Sequence, residues 1–532
     1  MSNPIAKPQS EPSTASKTTR LPPVPIQTQS KSPALYSSDG SRTPPSAGPG
    51  AYDSSVIPPS HEARTLVLCF DGTGDQFDAD NSNIIQFFSM LKKDDKSQQL
   101  VYYQAGIGTY TIPEVATPLM ARIQKSIDMA IGNHLDAHVM GGYEFLMEQY
   151  HAEDKICIFG FSRAGMIHKF IIRSAAKQVG LLPAGNHQQI PFAYKMFTRD
   201  DEVGWSQSTV FKKSFSVDVE IEFVGVWDTV CSVGLIPRTL PFTASNTAVR
   251  YFRHAISLDE RRAKFKANHW HVQGPNDTKG TKLGEMPRSN QRHPHYHSGH
   301  KRHHKDHKHT EEEFNDGPWE TDVLEVWFAG CHCDVGGGSV PNGTRNSLAR
   351  IPLRWMIRQC FLVDTGIQFH RDAFKDIGMD PDTLFPFVAA TRPPALKPSL
   401  AIVEVAAATA HALEPTDSTL TDQVQASPNA AATFKTEEDE ELADALSLIY
   451  DELKIKILPI RHNVQNRRDA SWKSHWKVNM GGPRKVPKPL REKDDKVFVH
   501  RSVKIRMEAE GLKNGKYMPK AKFEHLDFEW VD

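Results

Sequence analysis

Four short apolar runs constrain this chain more than any other feature: Thr65–Phe70, Lys155–Phe159, Ile221–Trp227 and Leu324–Ala329. Each has the length of a strand and lacks the polar alternation of a half-exposed one. Between them lie stretches with helical spacing, from Ile123 to Tyr150 and from Ala164 to Val179. Apolar strands separated by helices predict an α/β fold, a mostly parallel sheet with helices on both faces.

The rest of the chain is punctuated by polar sequence. Residues 1–62 are rich in Pro, Ser, Thr and Lys and read as a disordered tail, because they cannot bury enough apolar surface to offset ordering. Residues 63–393 carry the α/β pattern. Within them, residues 274–316 form a polar insertion with eight histidines between His293 and His309. Residues 394–440, rich in Ala, Thr, Ser, Pro and acids, read as a second disordered insertion. Residues 441–532 are expected to complete the domain.

Lys plus Arg equals Asp plus Glu at 64 each, so no basic surface for nucleic acid is expected. The six cysteines include no CxxC pair, and five lie in or beside apolar runs, as buried thiols of a reducing compartment do. Cys331 and Cys333 flank His332, yet no second ligand cluster accompanies them, so neither a metal nor a cofactor is expected. The histidine tract lacks the ordered scaffold that would make it a metal site. No apolar leader and no run of roughly 18 apolar residues is seen, which makes a cytoplasmic protein the default expectation. Peripheral contact with a bilayer is left open, since no interfacial helix stands out.

The chemistry-bearing stretch is Ile156–Gly165. An apolar strand runs through Gly160 into Ser162, then meets Ala164 and Gly165 where a helix should open. This is the layout of a nucleophile elbow, a sharp turn that lifts a serine to the top of an α/β-hydrolase-like sheet. A serine nucleophile needs a base, and the base an orienting carboxylate, in the chain order Ser, Asp or Glu, His. Asp228 follows the run ending at Trp227, and His332 lies just past the run ending at Ala329. Catalytic groups of open α/β sheets gather at such carboxyl ends. Asp334, two residues after His332, either holds the glycine-rich loop through backbone bonds or competes as the orienting acid; the structural role is favoured. Oxyanion donors are expected from Arg163 and from Gly72 or Thr73. A phosphatase of the D-x-D-G-T type is ruled out, since Cys69 stands where its nucleophilic aspartate would be.

At these residues the chain resembles an uncharacterised α/β-hydrolase domain of fungal proteins, shared with type VI secretion phospholipase effectors. The resemblance rests on Leu68–Thr73, Gly160–Arg163, Gly225–Val230, His254–Arg261, Trp327–Gly338 and Val499–Val503. It implies a Ser-Asp-His hydrolase with phospholipase-like activity on an ester or lipid. Ser162 and His332 carry over directly; Asp228 shares the acid position with Asp259, which lies in another matching block. The alternative is a degenerate, non-catalytic member that binds a lipid or a protein partner, motivated by Ala164 in the place of the last elbow glycine. A scaffold role for the tail and histidine tract is the third reading. Oligomeric state is not legible.

Overall fold

The apolar runs become strands of one eight-stranded sheet in which every neighbouring pair is parallel. In chain order the strands are β1 (Thr65–Phe70), β2 (Gln99–Gln104), β3 (Lys155–Phe161), β4 (Ile221–Trp227), β5 (Val249–Ser257), β6 (Asp322–Phe328), β7 (Val497–His500) and β8 (Phe528–Val531). Across the sheet they run β2-β1-β3-β4-β5-β6-β7-β8. The order therefore reverses between β1 and β3. Such a switch point leaves a crevice at the carboxyl ends of its strands, where ligands of this architecture bind.

The computed structural model describes residues 55–72, 75–106, 140–163, 179–198, 202–230, 249–262, 265–270, 321–389, 392–398, 436–451, 453, 459–465, 472–478, 482–486, 496–510, 512, 515–523 and 528–532. The histidine-rich insertion, Thr73, Ala164, Gly165 and most of both expected helical stretches lie outside these residues.

Alternate residues of β1, β3 and β4 feed two cores. Val67, Cys69, Cys157, Phe159, Phe223 and Trp227 pack on one face with the helices Asn83–Met90 and Arg350–Leu362. Leu66, Leu68, Ile156, Ile158, Val224 and Val226 pack on the other with Tyr143, Leu146 and Ala193. Burial of both faces is what made these runs continuously apolar. Among the described residues, no helix is long and apolar enough to cross a membrane.

Four of the eight sheet strands lay outside the four apolar runs: β2, β5 and the C-terminal β7 and β8. β2 begins and ends in glutamine and lies at an edge. β5 carries Arg253 and His254 into the interior, where Arg253 pairs with Gln359 and Asp322 and His254 with Glu325. Their polar heads break the run, and their burial is made tolerable only by partners distant in sequence.

Order also reaches further than composition implied. Val56–Ile57, inside the expected tail, pairs antiparallel with Phe369–His370. The helix Glu437–Ala445 begins within the expected second insertion, capped by the Thr436 hydroxyl, which accepts the Asp439 N–H. Its carboxylates face buried arginines of the helix Arg350–Leu362. Arg350 reaches Glu440 (3.0 Å), Arg354 reaches Asp444 (2.6 Å) and Arg358 reaches Glu437 (3.0 Å). Acidic composition signals disorder only when no counter-charge is waiting for it. β7 and β8, from the C-terminal segment, extend the sheet beyond β6.

Candidate active site

Ser162, Asp228 and His332 each stand just past the carboxyl end of a strand: β3, β4 and β6. Backbone bonds hold these exits together, with Ser162 N–H donating to Trp227 O (3.1 Å) and Asp228 N–H to Ala255 O (2.8 Å). Ser162 has φ +59° and Asp228 φ +38°, left-handed values that L-residues rarely adopt. The sharp turn at Ser162 is the geometry an elbow requires, and it stores local strain. Ser162→Gly is accordingly expected to be more stable than Ser162→Ala by about 1 kcal/mol, since only glycine takes this φ without a Cβ penalty. Paired urea melts measure the difference; equal midpoints and slopes would contradict it.

The three side chains form one hydrogen-bonded line. His332 Nδ1 lies 2.6 Å from Asp228 Oδ2, and His332 Nε2 lies 2.8 Å from Ser162 Oγ. The carboxylate can only accept, so Nδ1 carries the proton and Nε2 accepts from the serine hydroxyl. Ser162 is 5% exposed, His332 4% and Asp228 0%. The imidazole is set between aromatic rings, 4.7 Å from Phe161 and 4.7 Å, edge to face, from Phe265. Gly336 and Gly72 make room for this arrangement, because a Cβ on either would collide with the Phe161 ring. Gly337 instead lies against the backbone of Ser82 and Asn83, so the glycine-rich loop packs partly away from the serine.

Residues outside the sequence expectation surround the relay. Arg484 donates from Nη1 to Asp228 Oδ1 (2.5 Å) and from Nη2 to Oδ2 (2.9 Å), and Ser257 N–H reaches Oδ1 (2.9 Å). Burial alone would raise the Asp228 pKa, but the Arg484 charge and the His332 bond hold it well below the usual carboxylate range. Glu260 accepts the His332 N–H (3.3 Å) and is paired by Arg262 (2.8 Å), whose guanidinium covers the Phe265 ring. No motif marks Arg484 in the sequence. Glu260 lay inside a block that carried the resemblance, so a signal for it existed.

The other expected site residues sit elsewhere. Asp259 accepts from Gly330 N–H (2.7 Å), Tyr517 hydroxyl (2.7 Å) and Lys520 N–H (2.9 Å), and makes no bond to His332 among the described contacts. Asp334 accepts from Cys331 N–H (2.8 Å) and Tyr450 N–H (3.1 Å), bracing the start of the helix His332–Gly336. Gly72 N–H donates to Asp71 Oδ1 (2.8 Å), so it is engaged by that carboxylate rather than open toward Ser162. Asp71 also accepts from Ser82 and Tyr103, which anchors the turn after β1. Arg163 follows the serine directly and is half-buried.

Burial pushes the Asp334 carboxyl up to about 7. A raised carboxyl pKa means the folded state holds the proton more tightly than the unfolded one. Stability from this group is therefore full below about pH 4 and is lost as pH rises toward 7. Asp334→Asn, which keeps an acceptor without a charge, should show a smaller loss of unfolding free energy than wild type between pH 4 and 8. Denaturant unfolding at both ends of that range checks it; parallel trends would refute the role of Asp334.

With this geometry in place, the comparisons decide the family. Residues 64–359, more than half of the chain, match the family described as "T6SS, Phospholipase effector Tle1-like, catalytic domain". The chain belongs to this family. Ser162, Asp228, His332, Glu260 and Asp259 all fall within the matched residues, whereas Arg484 lies beyond them. An uncharacterised protein of Saccharomyces cerevisiae is 34% identical over 232 residues, covering 40% of this chain and 34% of the yeast protein. The chain thus spans about a third of the length of that relative. Among solved structures, an uncharacterised protein from Pseudomonas aeruginosa aligns with a TM-score of 0.30 at 16% identity, over 57% of this chain and 46% of that one. The structure of the Tle1 effector bound to the VgrG spike of the type VI secretion system aligns with a TM-score of 0.25 at 14% identity, over 54% and 53%.

Proposed function

We propose that the chain is a lipid-directed serine hydrolase that cleaves a carboxylic ester of a phospholipid through an acyl-enzyme. The observation that supports this reading is the unbroken line Ser162–His332–Asp228, placed beside a topological switch point. Membership of a phospholipase effector family supplies the substrate class.

In this reading Ser162 Oγ attacks the acyl carbonyl while His332 Nε2 takes its proton. Asp228 holds the imidazole in the tautomer that can accept it and stabilises the positive charge that forms. The Arg163 N–H, next to the serine in the chain, supplies an oxyanion donor. The tetrahedral intermediate then expels the alcohol, which leaves with the proton from His332. Water, deprotonated by the same imidazole, attacks the Ser162 ester and releases the fatty acid, restoring the hydroxyl. None of these steps draws on a metal or an organic cofactor.

The test is a panel of short acyl esters and phospholipids assayed with the purified full chain, alongside a fluorophosphonate probe that labels activated serines. Ester turnover with probe attachment at Ser162 supports the reading. An unlabelled, inactive but folded protein would point to the non-catalytic alternative, a lipid- or partner-binding member of the family.

A further inference from the structure

Arg484 is the feature of this site that neither the motif chemistry nor the family match explains. It lies 256 positions after the carboxylate it grips and well outside residues 64–359. Its guanidinium is buried, at 7% exposure for the residue, and meets Asp228 with both terminal nitrogens. Planar two-point pairing of this kind fixes orientation as well as charge.

The clamp is itself held from several directions. Nη1 also donates to Ser257 O (3.1 Å) and Oγ (2.8 Å) on the end of β5. Nε and Nη2 donate to Phe265 O at 3.1 and 2.6 Å. Phe265 is the residue whose ring borders His332, so one guanidinium ties the acid to a wall of the imidazole pocket. The backbone around Arg484 is anchored too: Gly482 N–H donates to Arg261 O (2.9 Å), and Lys522 N–H to Arg484 O (2.8 Å). Lys485–Val486 pairs in parallel with Lys522–Phe523.

We propose that Arg484 is a positioning residue, delivered by the C-terminal segment, that locks Asp228 in its ionised, His332-facing orientation and so sets how far into acid the relay works. The proposal rests on the hydrolase reading given above. The charged and titratable groups facing Asp228 are His332 and Arg484 in direct contact. His254, whose Nε2 accepts the Thr229 N–H (3.2 Å), stands next to them. Glu260 with Arg262 and Glu325 with His269 form the next ring. Only Arg484 among them is a permanent cation in contact with the carboxylate. Without it, the carboxylate keeps only His332 and the Ser257 N–H against burial, and Asp228 takes up a proton at higher pH.

The experiment is a pH profile of kcat/KM on a short acyl ester for wild type, Arg484→Met and Arg484→Lys, with folding checked by circular dichroism. Arg484→Met should move the acid limb upward by about one pH unit or more and lower the plateau by roughly 10²-fold. Arg484→Lys keeps the charge without the fork, so its acid limb should stay near wild type while its plateau falls. A purely structural role predicts a lower yield of folded protein, with plateau and acid limb both equal to wild type per mole of folded enzyme, and that result overturns the proposal. If Arg484→Met does not fold, Arg484→Lys decides: an unchanged plateau sinks the idea and a reduced one supports it. Fluorophosphonate labelling of wild type separates the two levels. A labelled, active wild type with indifferent variants removes only the Arg484 role, whereas an inert wild type removes the hydrolase reading and this proposal with it.

Discussion

Ser162→Ala is expected to reduce ester turnover by roughly 10⁴–10⁶-fold, the range over which loss of a relay nucleophile leaves only residual catalysis from binding and oxyanion donors. The size follows from what is removed. Oγ is the atom to which His332 Nε2 is bonded at 2.8 Å, and no other described hydroxyl shares that contact. Stability should move little, because the change deletes one oxygen and leaves the backbone strain at φ +59° in place. Covalent labelling by the fluorophosphonate should vanish in parallel. Turnover within tenfold of wild type, with the fold intact, would mean that a different group carries the chemistry.

Asp228→Ala is expected to damage both activity and stability, and it is the more severe of the two for the fold. For activity, the imidazole loses the acceptor at 2.6 Å that selects its tautomer, which costs roughly 10⁴-fold in comparable relays. For stability, Arg484 is left buried with its two strongest bonds gone. Breaking one side of a buried ion pair costs about 3–5 kcal/mol, because the remaining charge has neither water nor a counter-ion. A double-mutant cycle measured by urea unfolding separates the terms. Asp228→Ala combined with Arg484→Met should recover part of the stability lost by the first change alone, yet recover no activity. A double variant as unstable as the sum of its parts would mean that the two side chains are not energetically coupled.

Much of the fold could be read from the chain because β1, β3, β4 and β6 are buried on both faces. Their residues must be apolar at consecutive positions, and that leaves a local signature. The strands that escaped notice failed for a reason of the same kind. Arg253 and His254 in β5 are acceptable in the interior only through Gln359, Asp322 and Glu325, partners that linear sequence does not place nearby. The helix Glu437–Ala445 escaped in the same way, since four acidic residues in its first turn read as a solvated tail until the arginines of Arg350–Leu362 are brought against them.

The candidate site divides along the same line. Residue order and strand-end placement pointed to Ser162, Asp228 and His332, because each local stretch carries its own reason to end a strand and turn. For the acid, the same reasoning favoured Asp228 but kept Asp259 and Asp334 as alternatives. Asp228, Asp259 and Asp334 all follow strands of the same sheet, and the choice depends on distances of a few ångströms between loops far apart in the chain. Folding put Asp228 on His332, gave Asp259 to Gly330, Tyr517 and Lys520, and gave Asp334 to the backbone of Cys331 and Tyr450. It also brought Arg484 from the far end of the chain onto the acid. Local sequence encodes periodicity and turn chemistry; contacts between distant segments come only from packing, and it is there that this carboxylate acquired its partners.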